Sequence, residues 1–371
     1  MKIFEITFIL KKIFEKITSI LKICYIFMMD LVLKEYLITI SKLFFSKYVT
    51  PKKLLNAIAV YLQYLLKTER IIGYPIKIYV DPASVCNLKC PLCPTGNGDK
   101  SRSKGFMKFE AFKKIIDEVK DYVIQVDLYN WGEPLLNKEI FKMVEYAHKL
   151  GIRTRISTNL TILSESAVEN MINSGLDELI ASIDGASEET YQKYRVGGSF
   201  EKVIENLKLI LRKKEEMKKK NPEVVWQFLI MRHNEHEIEK AKQMAKELKV
   251  RLRLLPARAD MGEEIFLSDE EKKTKYSNWL SDKFSKYRRK FFKKSCAFLY
   301  TQLIVNWNGS VSSCCGVYPE KYDFGNVFLE GGAIKVWNNQ MFRRARSIVK
   351  KREIVPDIIC SNCIKNGFLE P

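Results

Sequence analysis

Residues 76–94 read IKIYVDPASVCNLKCPLCP, a short β-branched and aromatic run followed by Cys86, Cys90 and Cys93 in an eight-residue loop with Pro91 and Pro94. The run Ile76–Val80 predicts a strand, and the cysteines fall in the loop at its carboxyl end. The same pattern continues downstream. A helix is expected over Lys108–Tyr122, a strand over Ile124–Tyr129, a helix over Lys138–Leu150 and a strand over Arg153–Ser157. Next come a helix over Glu165–Ser174, a strand over Glu178–Ile183, and helices over Ser187–Tyr194 and Phe200–Lys220. Strands over Val225–Met231 and Arg251–Leu255 flank a helix over Glu235–Leu248. Strands separated by helices of this length form parallel βαβ units, whose right-handed crossovers curl into an α/β barrel. Six repeats predict a partial (β/α)6 TIM-like barrel.

Four regions are expected on this reading: a helical N-terminal extension (1–72), the barrel (73–257), a charged helical linker (258–295) and a small C-terminal domain (296–371). Three thiolates in one short loop can each ligate one iron of a cubane cluster, leaving the fourth iron open. Zinc is the structural alternative, but it prefers four ligands from paired CxxC knuckles, and this loop offers no fourth cysteine or histidine. The loop also lies where α/β barrels carry their chemistry. Further landmarks sit at the ends of later strands: Asn130-Trp131-Gly132-Glu133-Pro134, Ser157-Thr158-Asn159, Ser182-Ile183-Asp184-Gly185, and Tyr191, Arg195, Gly197, Gly198 and Phe200. Each has a bland reading as a turn or a solvated acid. Their shared position at strand ends argues for a site. His233 and His236 resemble a metal pair, but at a helix start they read better as capping residues.

Taken together, CxxxCxxC, Gly132-Glu133-Pro134 and the later landmarks resemble the radical S-adenosylmethionine (SAM) superfamily, over residues 75–371. Trp131 departs from the family's GGEP pattern, in which a glycine is usual. The resemblance implies a SAM-binding [4Fe-4S] cluster on Cys86, Cys90 and Cys93. It implies S-adenosylmethionine contacts from Gly132, Glu133, Pro134, Thr158, Asn159, Ser182, Asp184 and Arg195. The Gly132–Pro134 loop would receive the methionine amino group, and Ser182, Asp184 and Arg195 the ribose or carboxylate. The implied activity is that of an oxidoreductase or maturase that forms a 5′-deoxyadenosyl radical and abstracts hydrogen from an unidentified substrate. A low-potential electron donor of the ferredoxin or flavodoxin type would serve as partner. Epimerase and methyltransferase chemistries are the alternatives within the family.

Cys296, Cys314, Cys360 and Cys363 gather around a hairpin-rich segment with a turn at Asn306–Ser310. Four thiolates including a CxxC pair suit structural zinc as well as an iron–sulfur cluster. The resemblance here is to a shortened SPASM domain, which implies one auxiliary [4Fe-4S] cluster. Cys314 has the expected spacing from Gly309, with Cys315 as its rival.

The 371-residue chain is long enough for a catalytic core plus an appendage, and its 46% hydrophobic and 29% charged residues exclude a disordered protein. Its net charge of +19 is spread along the chain; the dense run Arg212–Lys220 interleaves Glu and reads as a solvated helix face. A noncatalytic, zinc-stabilised protein drawn to nucleic acid would need a basic stripe with interleaved aromatics. The Glu133, Asp184 and Arg195 landmarks count against that class. The nine cysteines lie in clusters with no signal peptide, which points to a reducing, cytoplasmic compartment. Residues 1–50 are apolar but interrupted by lysines. They read either as a helical layer on the barrel or as a peripheral membrane contact. Cys24 reads as a buried apolar residue.

Overall fold

The structure is a computed structural model that describes residues 47–257, 271, 275–285 and 296–365. The expectations for residues 1–46, including Cys24, and for most of the 258–295 linker lie outside the described residues. The expected alternation is present. Strands β1 (Lys77–Val80), β2 (Gln125–Asp127), β3 (Arg153–Thr158), β4 (Glu178–Ser182), β5 (Glu223–Ile230) and β6 (Arg251–Pro256) all pair in parallel. Helix α1 (Pro51–Leu65) precedes β1, and α2 (Phe109–Val119), α3 (Ile140–Lys149), α4 (Glu165–Asn173), α5 (Glu188–Tyr194), α6 (Phe200–Glu216) and α7 (Ile238–Glu247) connect the strands. Ser164, Ser187 and Ser199 accept hydrogen bonds from the first turns of α4, α5 and α6, which fixes where these helices start.

Successive strand residues point to opposite faces. On the outer face Ile78, Val80, Val126, Leu128, Ile156, Leu179, Trp226 and Phe228 are buried in one core with Phe112, Ile116, Met143, Val144, Val168 and Leu207 of the helices. The inner face is mostly polar: Lys77 and Tyr79 on β1, Gln125 and Asp127 on β2, Arg153 and Arg155 on β3, Glu178 on β4, and Arg251 and Arg253 on β6, with Ile180 and Val225 among them.

The C-terminal segment extends the barrel sheet. A short helix, α8 (Phe298–Thr301), leads into β7 (Gln302–Val305), which pairs in parallel with β1 from Lys77↔Gln302 to Val80↔Val305. Strand β8 (Val311–Ser312) returns antiparallel, giving the order β6-β5-β4-β3-β2-β1-β7-β8. Helices α9 (Ala333–Trp337), α10 (Gln340–Lys351) and α11 (Cys360–Lys365) complete the segment. Arg346 on α10 is fully buried and donates only to neutral acceptors, among them Leu299 O at 2.9 Å and Trp337 O at 2.9 Å. Among the described residues, no helix is long and apolar enough to cross a membrane.

Candidate active site

Cys86, Cys90 and Cys93 lie in the loop that leaves the carboxyl end of β1. Their thiols share one apolar pocket with Leu88, Leu92, Tyr194, Met231 and Trp279. Backbone hydrogen bonds tie the loop down: Cys93 N donates to Cys90 O at 3.1 Å, and Lys89 N to Val196 O at 2.9 Å. Burial pushes the Cys90 thiol up to about 12, against the opposing pull of Arg195, and also raises Cys86. Bare thiolates are therefore disfavoured in this pocket, and iron would supply the compensating positive charge. Two side chains already point N–H groups at sulfur: Asn159 Nδ2 lies 3.7 Å from Cys86 Sγ, and an Arg195 guanidinium nitrogen 3.9 Å from Cys90 Sγ. Such contacts orient and tune cluster ligands. The residues present thus fit a cubane with three protein ligands.

The Gly132–Pro134 loop stands directly against the cysteine loop. A Cβ on Gly132 would come within 1.8 Å of Ala83 O and 2.7 Å of Val85 O, so only glycine fits there. Glu133 N donates to Val85 O at 2.8 Å, fastening the two loops together. The Glu133 carboxylate is buried. Oε1 accepts from Thr158 Oγ1 (2.7 Å) and Leu135 N (3.0 Å), and Oε2 from Asn159 N (2.7 Å). Trp131, where the usual pattern has glycine, packs edge-on against Tyr318 of the C-terminal segment, with ring centroids 5.2 Å apart.

Beyond β4, Asp184 is fully buried. Its Oδ2 accepts from Arg195 Nε at 2.7 Å and its Oδ1 from Leu229 N at 2.7 Å. Burial raises the Asp184 pKa and Arg195 opposes that rise. Asp184 thereby holds Arg195 against Cys90, a positioning part. Ser182 Oγ lies 3.1 Å from Ser157 Oγ at the top of the barrel. Asn234, not singled out from sequence, is fully buried and bonds Asp184 O (3.1 Å), Leu229 O (2.8 Å) and Met231 N (2.7 Å), fixing the β5 end of the site. The His233 ring packs edge-on against Trp279 at 5.2 Å, with its pKa pushed down to about 4, mainly by burial; His236 is exposed. Among the described residues, no three His, Cys, Asp or Glu side chains converge on a single metal ion. A cubane, by contrast, gives each thiolate its own iron.

The second cysteine group gathers at the other end of β1. Ser312 pairs with Ile304, and β8 runs antiparallel to β7, so Cys314 lies toward the amino end of β7 and β1. Cys296, Cys314, Cys360 and Cys363 are mutual electrostatic neighbours, and burial raises the thiols of Cys296, Cys314 and Cys360. The four thiols suit a closed cluster. Cys315 also reaches Cys296 and Cys314, but Lys77 and Tyr79 on the barrel's inner face feel its charge too. None of the described cysteines is in a disulfide.

Between the two thiol groups lies an ionic layer that the strand pattern did not announce. Asp127 pairs with Arg155 (2.5 Å) and Lys77 (2.7 Å), and Glu178 with Arg153 (2.7 Å). Burial pushes both carboxyls up. Arg155 with Lys77 at Asp127, and Arg155 with Arg153 at Glu178, overcome it, holding Asp127 well below the carboxylate range and Glu178 at about 2. Arg102, which leaves the cysteine loop, reaches the C-terminal segment as a buried fork, donating to both Asp323 carboxylate oxygens (2.8 and 2.9 Å) and to Tyr318 O (2.6 Å).

A parallel barrel sheet with a three-thiol loop at the carboxyl end of β1, and a second group of thiols toward its amino end, offers donor sets that suit iron–sulfur clusters. The Radical SAM superfamily model matches residues 80–245, and the SPASM iron–sulfur cluster-binding domain matches residues 296–364. The chain thus carries a radical SAM domain and a SPASM domain, and [4Fe-4S] clusters and S-adenosylmethionine are the cofactors these domains imply. AdoMet-dependent heme synthase from Methanosarcina barkeri is 32% identical over 164 residues, 44% of this chain and 45% of that protein, so the match spans less than half of the relative's length. Mycofactocin maturase MftC from Mycolicibacterium smegmatis is 22% identical over 299 residues, 75% of this chain and 74% of that one. Streptococcus suis SuiB, in a crystal structure bound to S-adenosylmethionine, superposes with a TM-score of 0.57 at 16% identity, covering 90% of this chain and 81% of that one. At that identity the likeness concerns the fold.

Proposed function

We propose that this chain is a radical SAM oxidoreductase, a maturase of a substrate held inside the barrel, in which Cys296, Cys314, Cys360 and Cys363 would hold one auxiliary [4Fe-4S] cluster that would supply an electron acceptor. The observation that carries this reading is the placement of the two thiol groups at opposite ends of one strand, with the polar barrel interior between them. When bound, the first cluster and S-adenosylmethionine supply a carbon-centred radical able to remove a hydrogen atom from an unactivated position. The protein's own residues do the positioning. Cys86, Cys90 and Cys93 would hold the first cluster. Glu133 locks the Gly132–Pro134 loop to the end of β3 through Thr158 and Asn159, so that the loop's backbone can meet the methionine amino group. Asp184 aims Arg195 at the cluster, and Ser182 faces the cofactor's ribose or carboxylate. Leu88, Leu92, Met231 and Trp279 exclude water from the thiol pocket. A donor of the ferredoxin or flavodoxin type supplies the reducing electron. Part of this reading follows the mycofactocin maturase, whose match covers 75% of this chain.

Cys360→Ala tests the role given to the second cluster. The protein should lose about four irons, keep forming 5′-deoxyadenosine and lose oxidised product. Product formation at the wild-type rate by the iron-depleted variant would overturn the electron-acceptor role.

A further inference from the structure

We infer that the barrel interior contains a binding site for an oxyanion of the substrate, a carboxylate or a phosphate, centred on Arg253. The inference rests on the barrel being the substrate chamber proposed above. Five cations line the inner face, and four of them have a carboxylate partner: Lys77 and Arg155 share Asp127, Arg153 has Glu178 at 2.7 Å, and Arg251 has Glu223 at 3.3 Å. Arg253 has no carboxylate within ion-pair distance among the described residues; Glu178, already shared by Arg153 and Arg155, acts on it only from farther off. One of its terminal nitrogens donates to the Gln227 side-chain oxygen, its Nε has no hydrogen-bond partner, and the residue is only 9% exposed. Burial, with repulsion from Arg155, disfavours its charged form, and Tyr129 and Glu178 only partly oppose this. A buried guanidinium with no direct ion pair and an unbonded Nε–H leaves room for an anion to bind.

The location suits a substrate. Ser182 pairs across the sheet with Gln227, and Gln227 with Arg253. Arg253 therefore sits in the row of Ser182, at the carboxyl end of β4, on the cofactor side of the Asp127–Glu178 layer. A planar fork of N–H donors matches a carboxylate or phosphate better than any neutral group. Arg195, the other buried guanidinium near the cofactor, is already engaged by Asp184 and Cys90.

The test is thermal unfolding of the reconstituted full-length protein under anaerobic conditions, titrated with inorganic phosphate or with acetate at constant ionic strength set by chloride. Either anion should raise the melting temperature of the wild type. The apparent affinity should fall at least about tenfold in Arg253→Gln, and about two- to fivefold in Arg253→Lys, which keeps a cation without the fork. Arg344→Gln, at an exposed pair with Asp357, should respond like the wild type. No response from the wild type, or an equal response from Arg253→Gln, overturns the site. If Arg253→Gln does not fold, an unchanged affinity in Arg253→Lys does the same. A response abolished by saturating S-adenosylmethionine makes the anion the cofactor's own carboxylate and overturns the substrate assignment. 5′-Deoxyadenosine formation without an anion response defeats this inference alone. An Arg253-dependent response in a chain that forms no 5′-deoxyadenosine defeats the enzymatic reading and leaves the anion site standing.

Discussion

Cys90, Arg195 and Asp184 form a chain in which each member has one task. The thiol needs positive charge beside it, the guanidinium needs a fixed direction, and the buried carboxylate supplies that direction. Asp184→Asn should keep a hydrogen bond but lose the ion pair, leaving Arg195 free to swing from the cluster. We expect the KM for S-adenosylmethionine to rise by about tenfold or more, with a smaller change in kcat, since one charged contact made in the bound state is weakened. Steady-state 5′-deoxyadenosine formation reads the split. An unchanged KM would show that Arg195 is held by packing alone. The same residue scale explains Trp131, the one departure from the family's loop pattern: its ring rests on Tyr318, so a position usually left to glycine serves here to brace the C-terminal segment.

At the scale of elements, the six strands and their helices were legible because short β-branched and apolar runs recur, separated by helix-length segments. The three-cysteine loop was legible from its spacing alone. The interior charge was not. In an open sheet facing water on one side, Lys77, Asp127, Arg155 and Glu178 would give the same alternation; only the curl of the barrel buries them. Arg102 and Arg346 escaped for a related reason: their partners lie on segments far away in sequence, which no local pattern reports. The buried layer has a pH signature. Glu178 titrates at about 2 in the fold against an ordinary value near 4.5, so its contribution is fully present above about pH 4.5 and is lost as pH falls toward 2. Glu178→Gln leaves Arg153 buried without its partner and should destabilise the protein by about 3–5 kcal/mol at pH 7. Its stability should then fall less steeply than the wild type's between pH 5 and 2, as measured by denaturant unfolding. Parallel acid limbs would contradict this.

For the whole molecule, the pairing of β1 with β7 makes the SPASM segment part of the barrel sheet. Trp131–Tyr318 and Arg102–Asp323 add side-chain ties between the cysteine loop and that segment. A chain ending at residue 257 would expose the β1 edge and the apolar surfaces of α1 and α2 beneath α8 and α9, conditions that favour aggregation. We expect it to be insoluble or to bind hydrophobic dye strongly, whereas a soluble, dye-silent fragment would show that the two parts fold independently. The whole arrangement places the three-thiol loop at one end of β1 and the thiols of the C-terminal segment toward the other, with an ionic, guanidinium-rich interior between. The most direct measurement compares wild type with a Cys86→Ala, Cys90→Ala, Cys93→Ala triple variant, both reconstituted anaerobically, for iron content, electron paramagnetic resonance and 5′-deoxyadenosine formation. The wild type should hold about eight irons and form the nucleoside, and the variant about four irons and no nucleoside. Nucleoside formation by the variant, or none by an iron-replete wild type supplied with S-adenosylmethionine and a low-potential reductant, would contradict it.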